Sequence, residues 1–232
     1  MKQIQRILAA LTALLCLAYC FAAAESAVFA ETPLPDPAAI HSFEELPWYL
    51  TLVNAQHGVP DNWVIPAFTE LKHSQRVDSR IYPQLQKMFD DARANGILPV
   101  VLTSYRTYED QKNMLMKKYR RYKDKGMSKE EAQAAALQVA AYPGFSEHQL
   151  GLAVDIDSAD TERCSNDKVW DWMKRHCQDY GFIWRYPGQK SDITGITNES
   201  WHFRYVGVEA ATYIMQNQLC LEEYLEQVYG LK

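Results

Sequence analysis

The sequence predicts an α+β domain in which helices flank a small, mainly antiparallel sheet. Its 232 residues suit one domain of ordinary size. Hydrophobic residues make up 47% and charged residues 23% of the chain, a balance that is typical of a globular protein with an apolar core. Helical and strand patterns alternate irregularly along the chain, which favours an α+β arrangement over a regular strand–helix repeat.

The first thirty residues differ in composition from the rest. Two basic residues near the start precede an uncharged, largely apolar stretch over 7–24, and small residues follow. This order is typical of a secretory signal peptide, and the stretch is also close to the length of a membrane anchor. We therefore expect residues 1–30 to be a signal peptide or an anchor. Residues 31–45 contain three prolines and are predicted to be a linker to a domain over 46–232.

The first half of this domain is predicted to be mostly helical. Apolar side chains recur at helical spacing over residues 82–95, and Gly96 can end that helix. Branched apolar residues over 97–103 predict a short buried strand. Residues 108–122 favour a second helix, and a capping box at 128–131 starts a third.

The second half of the domain supplies more strands. Residues 152–156 have a strand pattern, and residues 167–180 have the pattern of a helix. Two further strands are predicted at 182–185 and 202–205. Helices are expected to close the chain over 208–229.

Charge and cysteine content exclude two kinds of site. The formal net charge is −5 and the isoelectric point is about 5.7, so no basic surface for nucleic acid is indicated. Beyond the leader, Cys164, Cys177 and Cys220 allow at most one internal disulfide. None of them forms a C-x-x-C pair, so a cysteine metal site is not expected and their role is structural or incidental.

Two segments carry side chains that are suited to a metal. His148 lies shortly before a predicted strand that carries Asp155 and Asp157, and His202 lies in a later strand. A catalytic zinc site uses three nitrogen or oxygen ligands from the protein and leaves one position to water. The two aspartates point to the same face of their strand, so spacing alone leaves both open as the third ligand.

Glu199 could complete such a site as a general base. It lies three residues before His202, an offset that can bring a carboxylate beside the metal without making it a ligand. Such a carboxylate can accept a proton from an activated water, which is the arrangement of metal-assisted hydrolysis. The same residue types also suit ordinary core or surface histidines and an edge strand with one solvated face.

Longer motifs give the sequence a family resemblance. Ser-x-His-x-x-Gly-x-Ala-x-Asp over 146–155 and Glu-x-Trp-His over 199–202 resemble the signature of the D-Ala-D-Ala metallopeptidases, especially the VanY-type D-alanyl-D-alanine carboxypeptidases. That family shares its core with lysostaphin-type peptidases and the hedgehog domain. The likeness extends upstream through residues 48–54, 80–83 and 104–111 and covers roughly residues 46–205.

The resemblance implies a role for individual residues. It implies one zinc ion per chain with His148, Asp155 and His202 as ligands, which selects Asp155 over Asp157. Glu199 would be the catalytic base, and Arg106 would stabilise the oxyanion near the scissile carbonyl. Four further residues lie in matching segments as candidate substrate contacts, although the last of them suits core packing equally well: Ser104, Gln111, Ser146 and Trp201.

The resemblance also implies a reaction and a location. An exported enzyme of this family meets peptidoglycan stem pentapeptides or their precursors, so removal of the terminal D-alanine is expected. The protein would be extracytoplasmic, either secreted or held to the bacterial membrane through its N-terminal segment alone. The alternatives are a peptidoglycan endopeptidase with the same metal core and a non-enzymatic, wall-binding zinc module. Glu199 argues against the second alternative.

Overall fold

The computed structural model describes residues 36–232, and the predicted leader therefore lies outside the described residues. The α-helices within that range are α1 Tyr82–Ala94, α2 Tyr108–Lys123, α3 Lys129–Leu137, α4 Asn166–His176, α5 Ser191–Thr194, α6 Val208–Gln216 and α7 Leu221–Tyr229. The strands are β1 Phe68–Glu70, β2 Arg76–Asp78, β3 Pro99–Thr103, β4 Ala153–Ser158, β5 Phe182–Tyr186 and β6 Glu199–Tyr205.

The strands form two antiparallel sheets. β1 and β2 make a two-stranded hairpin, which the sequence analysis did not predict. The main sheet has the order β3-β4-β6-β5, and each neighbouring pair in it is antiparallel. Together with the helices, this confirms the predicted α+β fold with a small antiparallel sheet.

The element boundaries follow local signals in the sequence. The predicted capping box is present at the start of α3: Glu131 donates its backbone N–H to Ser128 Oγ at 3.1 Å, and Ser128 donates to Glu131 Oε2 at 2.9 Å. The helix predicted over 167–180 instead ends at His176 and continues as a 3₁₀ turn. β6 begins at Glu199, three residues before the predicted strand, so this glutamate lies on the sheet.

Alternation along β4 separates the core from the opposite face of the sheet. Val154 and Ile156 are fully buried in the core, on the face where α4 packs against the strand. Asp155 and Asp157 point to the other face, because successive side chains of a strand alternate. The apolar face therefore fixes the strand to the helices and leaves the two aspartates for a site on the opposite side.

The segment that was predicted as a linker is partly packed on the domain. Within its described part, Ile40 is buried in the core, and the short helix Pro37–Ala39 contacts α7. An apolar side chain thus binds these residues to the domain despite the prolines. In residues 36–232 no helix combines the length and the apolar character that a membrane span needs.

Candidate active site

Strand pairing brings two of the predicted metal ligands together. Asp155 on β4 lies directly opposite His202 on β6 in the antiparallel register. Residues opposite each other in such a pair project their side chains to the same face at close range. Nδ1 of His202 is accordingly 3.2 Å from Oδ1 of Asp155.

His148 reaches the same point from the turn that precedes β4. It lies in the 3₁₀ turn Glu147–Leu150, which ends at Gly151 with a φ of +73°. Its Nδ1 donates to the carbonyl oxygen of Ser104 at 2.7 Å, and its Nε2 lies 3.4 Å from Oδ1 of Asp155. The hydrogen bond to Ser104 orients the ring so that Nε2 is the atom available to a metal.

The three side chains fit a single divalent metal ion such as zinc. Their ligand atoms all lie within 4.8 Å of one another. Asp155 Oδ1 is buried, and no described residue gives it a hydrogen bond, as is expected of an oxygen reserved for a metal. Two imidazoles and one carboxylate are also the kind of donor set that catalytic zinc takes.

The electrostatics of the cluster suit a cation. Burial, together with the charge of Arg106, lowers the pKa of His148 to about 4, so this ring is neutral at physiological pH, as a ligand must be. Burial opposes the charged form of Asp155, but the two histidines outweigh it and hold the pKa of its carboxyl well below its usual range. Burial also lowers the pKa of His202, yet Asp155 and Glu147 raise it to about 9, so the pocket favours positive charge there.

Glu147 supports the cluster from behind. Nε2 of His202 lies 3.4 Å from Oε2 of this fully buried carboxylate. Arg185 Nε and Arg204 Nη1 each donate to Oε1 of Glu147, at 2.8 Å and 2.9 Å. Burial would raise the pKa of Glu147, but the two guanidinium groups outweigh it and hold that pKa far below its usual range.

This buried network reaches the C-terminal helix. Arg185 donates from Nη1 and Nη2 to the two carboxylate oxygens of Glu222 on α7, at 2.9 Å and 2.7 Å. Arg204 Nη2 donates to the carbonyl oxygens of Tyr49 and Thr51, which fixes that guanidinium in place. Sequence reasoning missed these residues, although an arginine between two aromatic residues in each of two strands was a signal that could have identified them.

Glu199 and Arg106 line one cleft with the metal cluster. The cleft has a volume of about 210 Å³ and lies between the sheet, α2 and the segment after α3. Oε2 of Glu199 is 3.7 Å from Nδ1 of His202. Burial raises the pKa of the Glu199 carboxyl to about 7, which suits a group that accepts and returns a proton near neutral pH. Arg106 Nη2 donates to Ser146 Oγ at 3.4 Å inside the same cleft.

The structure places two predicted substrate contacts behind the cleft. Ser104 is fully buried, and its hydroxyl oxygen accepts the backbone N–H of Arg76 at 2.9 Å. Gln111 is also fully buried and accepts from Arg106 Nε at 2.8 Å. Neither lines the cleft. The backbone carbonyl of Ser104 and the side chain of Gln111 instead hold His148 and Arg106 in place, so a direct contact of either residue with the substrate stays a prediction.

Two aromatic side chains complete the cleft. Trp201 lines it and is 36% exposed, so the structure favours the pocket interpretation over core packing. Tyr186, which the sequence analysis did not select, also lines the cleft and packs its ring 4.8 Å from the ring of His202. Asp157 is outside the cluster and accepts from Trp170 Nε1 at 3.0 Å.

The chain is similar in sequence to a known protein family and to characterised proteins. The model of the family VanY, D-alanyl-D-alanine carboxypeptidase, matches residues 74–208. A D-alanyl-D-alanine carboxypeptidase from Enterococcus faecalis is 47% identical over 182 residues, which are 78% of this chain and 67% of the relative.

Two solved structures share both fold and sequence with the chain. VanYB in complex with D-Alanine-D-Alanine has a TM-score of 0.75 and 46% identity, over 78% of this chain and 98% of that one. A mutant of the vancomycin resistance D,D-pentapeptidase VanY in complex with Zn(II) has a TM-score of 0.75 and 47% identity, over 77% and 99%. The resemblance seen in the motifs is thereby confirmed, and the chain belongs to the VanY family of D-alanyl-D-alanine carboxypeptidases.

Proposed function

We propose that this chain is a zinc-dependent D,D-carboxypeptidase that removes the terminal D-alanine from peptidoglycan stem pentapeptides. The observation that carries the proposal is the convergence of His148, Asp155 and His202 with Glu199 and Arg106 in one cleft. Three metal ligands, one proton acceptor and one guanidinium form a set that suits metal-assisted amide hydrolysis. Membership of the VanY family supplies the substrate class.

His148, Asp155 and His202 would hold the zinc ion, which when bound supplies a Lewis acid and lowers the pKa of water. The chain's own residues perform the remaining work. Glu199 accepts the proton of the attacking water at a carboxylate oxygen and then returns it to the departing amine nitrogen of D-alanine. Burial raises the pKa of this carboxyl above its usual range, which strengthens it as a proton acceptor.

Arg106 stabilises the negative charge that develops on the carbonyl oxygen. Gln111 fixes its guanidinium at Nε, and Ser146 accepts from Nη2, so the group is oriented before the substrate binds. A pre-oriented donor in a largely buried site stabilises the transition state more than a mobile donor in water would. The contact of Arg106 with the buried Gln111 therefore helps to stabilise the transition state, because it holds the guanidinium in position.

D-alanine release from diacetyl-L-Lys-D-Ala-D-Ala tests the proposal directly. The leaderless chain should release one D-alanine per peptide, lose this activity with a zinc chelator and recover it when zinc is returned. A peptide that ends in L-Lys-D-Ala should be a poor substrate. No release by a folded, zinc-loaded protein would contradict the proposal, and cleavage within a muropeptide would then support the endopeptidase alternative.

The proposed site of action is outside the cytoplasm. The support for this is the basic start and the apolar stretch in residues 1–30. Expression of the full chain in a bacterial host, followed by fractionation and mass analysis of the N-terminus, distinguishes a cleaved signal peptide from a retained anchor. A full-length chain found in the soluble cytoplasmic fraction would overturn this part of the proposal.

A further inference from the structure

A dense positive charge lies on α2, beside the catalytic cleft. Between Gln111 and Lys125 the chain has seven lysines and arginines and one acidic residue, Asp124, although the formal net charge of the whole protein is −5. Cations near the C-terminal end of a helix are favoured by the helix dipole, and such residues often serve only solubility. The charge density alone therefore does not indicate a ligand.

The position of three of these cations does indicate a ligand-binding surface. Lys118, Arg121 and Lys125 recur three and four residues apart, so they share one face of α2 and of the turn that follows it. They line a depression of about 220 Å³ beside the catalytic cleft. Among the described residues, none of the three forms an ion pair with a carboxylate.

The depression is continuous with the catalytic cleft. Lys118, Val139, Glu199 and Trp201 line both of them, so they form a shared border. A carboxypeptidase holds the C-terminal end of its substrate at the catalytic groups, and the rest of the peptide must leave the cleft across one of its borders. A chain that passes Glu199 and Trp201 would enter the basic depression next.

We propose that the face of Lys118, Arg121 and Lys125 is a subsite for a carboxylate carried by the substrate on the N-terminal side of the D-Ala-D-Ala unit. The inference rests on the proposed function, because it assumes that a stem peptide occupies the cleft. A glutamate joined to the next residue through its side-chain carboxyl keeps a free α-carboxylate, which is the chemistry that a lysine–arginine pair recognises. The corresponding amide lacks that charge.

Two peptides and two double variants test this subsite. The peptides are N-acetyl-L-Ala-γ-D-Glu-L-Lys-D-Ala-D-Ala and its counterpart with the glutamate α-carboxylate converted to an amide. The test variant is Arg121→Gln with Lys125→Gln, since both residues line the depression and neither lines the catalytic cleft. The control is Lys117→Gln with Arg120→Gln, which removes the same charges from exposed positions of α2 that do not line the depression.

The expected result is a preference that only the test variant loses. From the strength of partly exposed charge-assisted pairs, we expect kcat/KM of the wild-type enzyme to be about five- to tenfold higher for the acidic peptide than for the amide. This ratio should fall close to one in the test variant and at high salt, and should persist in the control. All three proteins should cleave diacetyl-L-Lys-D-Ala-D-Ala equally well.

Other outcomes separate the possible failures. Equal kcat/KM for both peptides with the wild-type enzyme would overturn the subsite while leaving the carboxypeptidase intact. An equal loss of preference in both double variants would also overturn it, because the effect would then come from the overall field of the helix. If zinc-loaded wild-type protein released no D-alanine from the diacetyl peptide, the proposed function would fail and the subsite with it.

Discussion

The imidazole of His202 is held between two carboxylates, those of Asp155 and Glu147. Its Nδ1 is 3.2 Å from Asp155 Oδ1, and its Nε2 is 3.4 Å from Glu147 Oε2. A neutral His202 that donates from Nε2–H to Glu147 directs the lone pair of Nδ1 toward the metal cluster. Glu147 is in turn fixed by Arg185, which is paired with Glu222 on α7. Glu222 on the C-terminal helix is thereby connected to the proposed metal ligand His202 through the buried side chains of Arg185 and Glu147.

This connection predicts that Glu222→Gln weakens zinc binding at a distance. Without Glu222, Arg185 and Arg204 face Glu147 with one uncompensated positive charge, which opposes a cation and weakens Glu147 as the acceptor for His202. Since loss of outer partners of metal ligands typically costs 10–100-fold in metal affinity, we expect a loss of about tenfold for this more remote change. Competition with a fluorescent zinc chelator measures it.

Glu226→Gln on the same helix is the matched control. Glu226 is half-exposed and pairs with Lys232 near the end of the chain, away from the buried network. The Glu226→Gln variant should leave zinc affinity unchanged and should change the free energy of unfolding by well under ~1 kcal/mol. Glu222→Gln, in contrast, should also lower the free energy of unfolding by about 3 kcal/mol. Equal zinc affinity in both variants would refute the coupling between α7 and the metal site.

The choice of Asp155 over Asp157 gives a second prediction. Both lie on one face of β4, but Asp155 is opposite His202 and, of the two, it alone has a buried oxygen without a hydrogen-bond partner among the described residues. Asp155→Asn should abolish stoichiometric zinc binding, and Asp157→Asn should retain it. Metal analysis after dialysis checks both variants. A zinc-free Asp157→Asn protein that is still folded would contradict the assignment.

Glu199→Ala should separate chemistry from metal binding. The carboxylate is 3.7 Å from His202 Nδ1 and is not in the metal cluster, so zinc content should stay at one per chain. Loss of a general base typically lowers turnover 10²–10⁴-fold, and we expect kcat to fall within about that range. Steady-state D-alanine release and metal analysis on the same preparation measure both effects. Near-wild-type turnover would show that another group takes the proton.

Much of the site could be predicted because its residues lie in short, ordered segments. Residue type and spacing indicate His148, His202 and Glu199 and leave Asp155 and Asp157 both open, and the family resemblance of the two motifs selects Asp155. The strand alternation that directs Asp155 away from the core is also a local property, since Val154 and Ile156 lie on the opposite, buried face. Local patterns therefore predict the fold class, and together with the family resemblance they indicate the residues of the proposed metal site.

The rest depends on contacts between distant parts of the chain. Glu147 contacts Arg185 and Arg204, which lie 38 and 57 residues further along the chain on the paired strands β5 and β6, and nothing local to those positions specifies the partner. Ser104 and Gln111 are predicted substrate contacts because they lie in a segment that matches the family. The structure buries both, and a linear motif does not distinguish a residue that lines a cleft from one that supports it.

Gly151 should resist substitution more than another glycine with the same backbone conformation. A Cβ at Gly151, where φ is +73°, would lie 3.1 Å from Ile65 Cδ1 and 3.2 Å from the backbone nitrogen of Asp78. Gly96 has a φ of +74° and no neighbour within 4 Å of its Cβ position. Left-handed backbone strain costs of order 1–3 kcal/mol at either site. Gly96→Ala therefore measures the cost of this strain without steric crowding. Denaturant unfolding should show a larger loss for Gly151→Ala, and equal losses would exclude the crowding argument.

The three cysteines of the domain should behave as inert buried thiols. Cys164, Cys177 and Cys220 are free and buried, which settles the open question of one disulfide in favour of none among the described residues. Burial raises the pKa of Cys177 and of Cys220 to about 12, so the reactive thiolate is scarce at neutral pH. The leaderless chain should therefore react negligibly with a thiol reagent when native and should titrate three thiols when denatured without reductant. A count of one after denaturation would mean that a disulfide had formed, and fast labelling of the native protein would mean that at least one of these sites opens readily.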